Sequence, residues 1–185
     1  FNKAQEEFSP QLIQNKILEI YKAAIFKRHH SKWIPILMYH KIPQEEIQTK
    51  HRIFVTVESF KKHLDFFNRQ KFTTIGFADL KQFWDMQRPY SEFPNKPLIL
   101  TFDDGYVDNL IQAQPLLLER KMKACIFLLA NHNITENSWD LADPLETKSP
   151  LMNLQQKQNL NPACFEIGSH GFNHPHLTSL SETEV

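Results

Sequence analysis

Apolar positions along the chain alternate between short continuous runs and longer stretches with a helical period. Residues 11–27 place Leu12, Ile13, Ile17, Leu18, Tyr21, Ala24 and Ile25 at helical spacing, an amphipathic helix that must pack on something. Residues 57–70 repeat the pattern, with Phe60, Leu64 and Phe67 on one face and Thr56 placed to cap the first turn. The runs at 34–38, 72–75, 97–102, 124–130 and 163–168 are short, apolar and bounded by turn residues, and they read as strands. Residues 77–85 and 151–160 read as short helices, and 106–121 as a helix that Pro115 must kink or restart. The stretches 41–53, 86–96 and 131–151 keep no period and read as loops. Strands alternating with helices, with no internal repeat, predict an α/β fold with a mostly parallel sheet.

Two of the strands end in chemistry. The run from Pro97 to Phe102 leads into Asp103-Asp104-Gly105, two adjacent carboxylates and a glycine that lets the backbone turn. Acids at the C-terminal end of a buried parallel strand lie where α/β folds place their reactive groups. Strand alternation predicts that Asp103 and Asp104 point differently and hold different jobs. The plainer alternative is a cap for the helix that starts at Tyr106. The strand over 163–168 leads into His170-Gly-Phe-Asn-His174-Pro175. Two histidines four apart meet at one ion if the loop curls or forms a helical turn. Joined by an Asp from another strand end, they make a His-His-carboxylate set that leaves coordination positions open for water and substrate. His176 reads as a loop residue rather than a ligand.

The two motifs together resemble those of the polysaccharide deacetylases, the fourth carbohydrate esterase family, with a NodB-type domain. Thr101-Phe-Asp-Asp-Gly105 is similar to the family's first motif and His170-Gly-Phe-Asn-His-Pro175 to its second. Gly171 departs from the Ser or Thr more usual there. The resemblance implies a distorted (β/α) barrel in which Asp104, His170 and His174 hold a divalent metal, most simply Zn²⁺, with Co²⁺, Ni²⁺ or Mn²⁺ as substitutes. It implies that Asp103 is the catalytic base and that the substrate is an N-acetylated glycan, most often built of N-acetylglucosamine. The Ile-Leu-Met-Tyr-His opening at 36–40 resembles that of the surface-glycan and biofilm enzymes. It makes His40 a candidate substrate-side residue; Trp139, an aromatic in a loop at the strand ends that could stack on a sugar ring, and Tyr106 are the other candidates. A strand-end His bonded to backbone, and a Trp that pins its loop to the core, are the plainer readings of His40 and Trp139. A non-catalytic sugar-binding relative is the rival function.

Composition narrows this further. Lysine plus arginine and aspartate plus glutamate each total 21, a formal net charge of zero, so nothing points to a nucleic-acid partner. Fifteen Phe against four Gly suit a well-filled core in a chain of 185 residues. The two cysteines, Cys125 and Cys164, lie in predicted strands and read as buried free thiols. No stretch has the length of a membrane span and no signal peptide is visible, which leaves a cell-envelope or a cytoplasmic glycan-synthesis setting open. Residues 1–30 are expected to be a lead-in and 31–185 part of the catalytic domain. Ser181-Glu-Thr-Glu184 is a capping box that announces a helix just before Val185. The expectation is therefore a piece of a longer protein, covering the first half to two-thirds of the barrel. It lacks the family's later His acid and its orienting Asp and Arg, so weak or absent turnover alone is expected.

Overall fold

The computed structural model describes residues 34–49 and 53–182. The helix expected over 11–27 lies outside these residues, as does most of the one announced by the capping box at 181–184.

Five parallel strands make the sheet: β1 (Ile36–Tyr39), β2 (Thr73–Thr74), β3 (Pro97–Phe102), β4 (Ala124–Leu128) and β5 (Phe165–Ser169). Their order is β1-β3-β4-β5, with β2 paired to the start of β3. All six residues of β3 are buried, which is why its sequence is a continuous apolar run rather than an alternating one. Helix α1 (Val57–Arg69) starts where its sequence signals, with Ser59 N–H donating to the Thr56 hydroxyl at 3.3 Å. Phe60, Leu64 and Phe67 are its buried face. Helix α2 (Phe77–Trp84) and the short α4 (Leu154–Gln158) follow β2 and precede β5. From Val107 the chain is helical through Glu119, but Asn109–Ala113 is wound as a π-helix before α3 (Gln114–Glu119). Pro115 explains the change: it has no N–H for the carbonyl four residues back and its ring crowds that carbonyl, so the preceding turn widens instead of breaking.

An aromatic stack supports the site from below. Tyr39 of β1, Phe60 of α1 and Phe102 of β3 meet at centroid distances of 5.1 to 5.8 Å, and Phe102 also meets Phe165 of β5 at 5.6 Å. Each ring packs edge-on or offset against the next, the arrangement aromatic quadrupoles favour. Phe102 immediately precedes the two acids, so the packing that fills the core also fixes where Asp103 begins. Cys125 and Cys164 are buried free thiols, as expected, and burial pushes both up to about 11. The outer strands β1 and β5 do not pair with each other, and the sheet is open among the described residues.

Candidate active site

Strand register brings the motifs together. Tyr39 lies opposite Phe102, and Leu128 opposite Ser169, so β1, β3 and β5 end at one edge of the sheet. The next residues out are His40, Asp103 and His170. Asp103 N–H donates to the Tyr39 carbonyl at 3.0 Å, and His170 N–H to the Leu128 carbonyl at 2.9 Å.

Asp103 and Asp104 do point differently, but strand alternation is not the cause. The strand ends at Phe102, and Asp104 and Gly105 take left-handed backbone, at φ +72° and +83°. Asp tolerates that region better than most residues, and Gly best of all. Gly105 is required for a second reason: a Cβ there would meet Leu128 Cδ2 at 2.6 Å. The histidine segment is likewise a curled loop, not a helical turn. Gly171 and His174 stand at φ +76° and +57°. Ala130 N–H and Asn131 N–H donate to the carbonyls of Gly171 and Phe172, extending the β4–β5 ladder past both strands. Nothing lies within 4 Å of a Cβ built on Gly171, so its backbone angle rather than space restricts that position.

These turns converge three ligand atoms. Asp104 Oδ1 lies 3.1 Å from His170 Nε2 and 3.3 Å from His174 Nε2. One ligand atom from each of the three residues lies within 4.8 Å of the others. Asp104 is 2% exposed, and its Oδ1 has no hydrogen-bond partner, although buried polar atoms nearly always find one. Donors held at the tetrahedral angle on bonds of about 2.0–2.1 Å sit about 3.3 Å apart, close to the separation of the Asp104 oxygen from each imidazole nitrogen. The three residues therefore fit a divalent ion. The histidine side chains are 29% and 31% exposed, which leaves the solvent side of that position open.

Electrostatics separate the two acids. Burial alone would raise the Asp104 carboxyl, but the imidazoles of His170 and His174 outweigh it and hold it well below the usual carboxylate range. Asp104 in turn raises His170 above the ordinary histidine value. Asp103 moves the other way, raised chiefly by burial. Its Oδ2 lies 4.0 Å from His40 Nε2, and burial lowers the pKa of that histidine. One acid is thus held ionised beside two imidazoles, while burial raises the pKa of the other.

The remaining sequence candidates take different places. His40 joins the site through Asp103. Tyr106 is 1% exposed, in a small cluster with Leu129 and Leu151 against which Ile134 and Trp139 pack. Its hydroxyl is buried without a hydrogen-bond partner, and burial together with the Asp104 charge raises its pKa far above the usual tyrosine value. Trp139 is half-buried and stacks on His174, with ring centroids 4.3 Å apart and planes 20° from parallel. His176 is exposed and stands outside the three-ligand group.

Sequence reasoning missed the supports of this edge. Asp108 and Asn109, at the start of the helix after the acids, reach back to the segment after β1. Ile42 N–H donates to Asp108 Oδ2 at 2.8 Å, and Asn109 Nδ2 donates to the His40 carbonyl at 2.7 Å. Two polar residues on an otherwise apolar helical face were the available signal. Lys41 is 1% exposed and pairs with Glu146 at 2.8 Å, while the Thr49 hydroxyl also donates to Glu146. No pattern in the sequence marks that pair, because its members lie far apart in the chain.

Comparison with known proteins agrees with the geometry. The family model for polysaccharide deacetylase matches residues 90–185, more than half of the chain. The chain belongs to the polysaccharide deacetylase family. Among curated proteins it is similar to the Bacillus subtilis (strain 168) protein YxkH, which is named for the same family, at 28% identity over 137 residues. That match takes in 71% of this chain but 46% of the relative, so the chain spans about half the length of the curated relative it matches. Solved deacetylases share the fold. The Streptococcus pyogenes deacetylase PplD, solved in complex with acetate, superposes with a TM-score of 0.60 at 20% identity, over 80% of this chain and 60% of that one. BC0361, a polysaccharide deacetylase from Bacillus cereus, gives 0.61 at 21% identity, over 83% and 43%. The parallel α/β sheet is thus the deacetylase fold that the two motifs imply. No helix among the described residues is long and apolar enough to cross a membrane.

Proposed function

We propose that the protein hydrolyses N-acetyl groups of N-acetylglucosamine-containing poly- or oligosaccharides, using a divalent metal, most simply Zn²⁺. The observation that carries this reading is the buried Asp104 Oδ1 facing two imidazole nitrogens at 3.1 and 3.3 Å, with a second carboxylate beside it. Asp104, His170 and His174 would hold the ion. A divalent ion so held supplies Lewis acidity, lowering the pKa of water and polarising an acyl carbonyl. Asp104 suits a ligand because its carboxyl stays ionised at any working pH. Asp103 takes the proton of the attacking water. Its raised pKa brings it closer to the operating pH, where a general base is most effective, and such a group contributes about a hundredfold to ten-thousandfold. His40, next to Asp103 and with its pKa lowered by burial, orients the base and faces the substrate side. The leaving amine needs a proton donor that none of these groups supplies. The chain spans about half of its curated relative, so we expect turnover to depend on the longer family domain as well as on these groups.

Acetate release from N-acetylglucosamine oligomers, with added Zn²⁺ and with a chelator control, tests the reading. It should be run on this chain and on a version extended to the length of its relatives. Chelator-sensitive release from the longer protein is the expected result. Bound metal without release from any N-acetylated glycan would favour the sugar-binding alternative.

A further inference from the structure

His170 and His174 are not held alike. His170 directly follows β5 and its N–H is bonded to the Leu128 carbonyl. His174 stands four residues further out, on left-handed backbone, beyond the last ladder bond at Phe172. A further tie before it is Asn131 Nδ2 donating to Asn173 Oδ1 at 2.7 Å. Its imidazole nevertheless meets Asp104 Oδ1 at 3.3 Å. The indole of Trp139 stacks on that ring with centroids 4.3 Å apart, while the His170 ring meets it only tilted, at 5.1 Å and 47°.

Trp139 in turn rides on a loop that is bolted down. Asn137, fully buried at the foot of the loop, accepts from Ser149 N–H at 2.7 Å and donates to the Thr147 carbonyl at 3.3 Å. Thr147 N–H donates to the Gln48 carbonyl, and Glu146 takes the buried Lys41 ammonium and the Thr49 hydroxyl. All three of these ties cross from the Trp139 loop to the segment that follows His40. The indole is braced on its inner side by the cluster of Tyr106, Leu129 and Leu151.

Resting on the metal reading above, we infer that Trp139 is a positioning residue for His174, and that the Lys41–Glu146 pair anchors the loop that presents it. Trp139 touches neither the ion nor the reacting atoms; it fixes the ring orientation from which Nε2 is presented. Groups that orient metal-ligating histidines typically change metal affinity by about 10–100-fold when removed.

The test is Zn²⁺ affinity of the full chain, measured by competition with a chromophoric chelator, with unfolding midpoints recorded alongside. Trp139→Ala should lower affinity about tenfold or more, and Trp139→Phe, which keeps a flat ring, should recover most of it. Glu146→Gln, which keeps the shape of the anchor but removes its charge, should weaken affinity in the same direction as Trp139→Ala and by less. As a check that does not depend on the alanine variant folding, a Trp33→Phe/Trp84→Phe protein leaves Trp139 as its sole tryptophan. Its emission should be quenched by Co²⁺ in step with site occupancy. Equal affinity in the parent and in a folded Trp139→Ala overturns the positioning role while leaving the metal reading intact. A parent that binds no divalent ion overturns the metal reading and the positioning role with it.

Discussion

Asp104 and His174 both occupy left-handed backbone, at φ +72° and +57°, and meet with Oδ1 and Nε2 3.3 Å apart. Left-handed backbone at a non-glycine residue costs of order 1–3 kcal/mol and persists only where the surroundings over-determine it. Here the surroundings are a packed core under Asp104 and a stacked indole against His174. The strain is spent where two side chains from different strand ends must face one point.

Asp104→Asn keeps the shape of the side chain and removes the charge that both imidazoles face. Divalent-ion affinity should fall by more than about a hundredfold, beyond the range expected for losing a merely supporting contact. Titration with Zn²⁺ against a chelator decides it, and affinity within tenfold of the parent would mean that Asp104 is not a ligand.

Asp103→Asn should separate binding from chemistry. Metal affinity is expected to stay within a few-fold of the parent, while turnover by a version long enough to be active drops about a hundredfold to ten-thousandfold. Unaltered kcat would remove Asp103 from the role of base.

Gly105→Ala tests the turn itself. The new methyl group meets positive φ and Leu128 Cδ2 at 2.6 Å. Backbone strain of about 1–3 kcal/mol and overpacking of similar size should both appear as lost stability. Urea unfolding reads the sum, and an unchanged midpoint would show that the turn relaxes freely. Gly171→Ala, with open space around its Cβ, should lose only the backbone part.

Asp108 gives the fold a pH dependence of its own. Burial raises its carboxyl to about 7, against the bonds from Ile42 and Asn109 and the nearby charge of Lys41. The sign follows from proton counting. Between the unfolded value near 3.8 and about 7 the native state holds a proton that the unfolded chain has released, so stability falls as pH rises through that window. Below the window the contribution is fully present, and above it the loss is complete. Asp108→Asn should flatten this part of a stability–pH profile, at the cost of one of the two hydrogen bonds the carboxylate accepts. A parent profile already flat between pH 4 and 7 would refute the assignment.

Much of the molecule was legible before folding. The apolar runs at β3, β4 and β5, the Thr56 cap and the Phe60-Leu64-Phe67 face of α1 are local patterns, and each element formed within a few residues of its expected bounds. The acids and the two histidines were legible for the same reason, since each pair sits within a few residues along the chain. Pro115 shows how far local reasoning reaches. It announced a disturbance, while the form, a π-turn that keeps the helix continuous, depended on how the neighbouring carbonyls could be accommodated.

By itself the sequence determined the order of strands and helices, the chemistry at two strand ends and the family. These reside in residue types and short spacings, which act through backbone preference and burial of nearby side chains. Only the tertiary structure decided that β1, β3 and β5 end at one edge, that Asp104 reaches the histidines through a left-handed turn, and that Trp139 spends its face on His174. It alone paired Lys41 with Glu146 and tied Asp108 to Ile42. Those relationships join residues far apart in the chain, and sheet register and core packing, not any local pattern, set the distances between them.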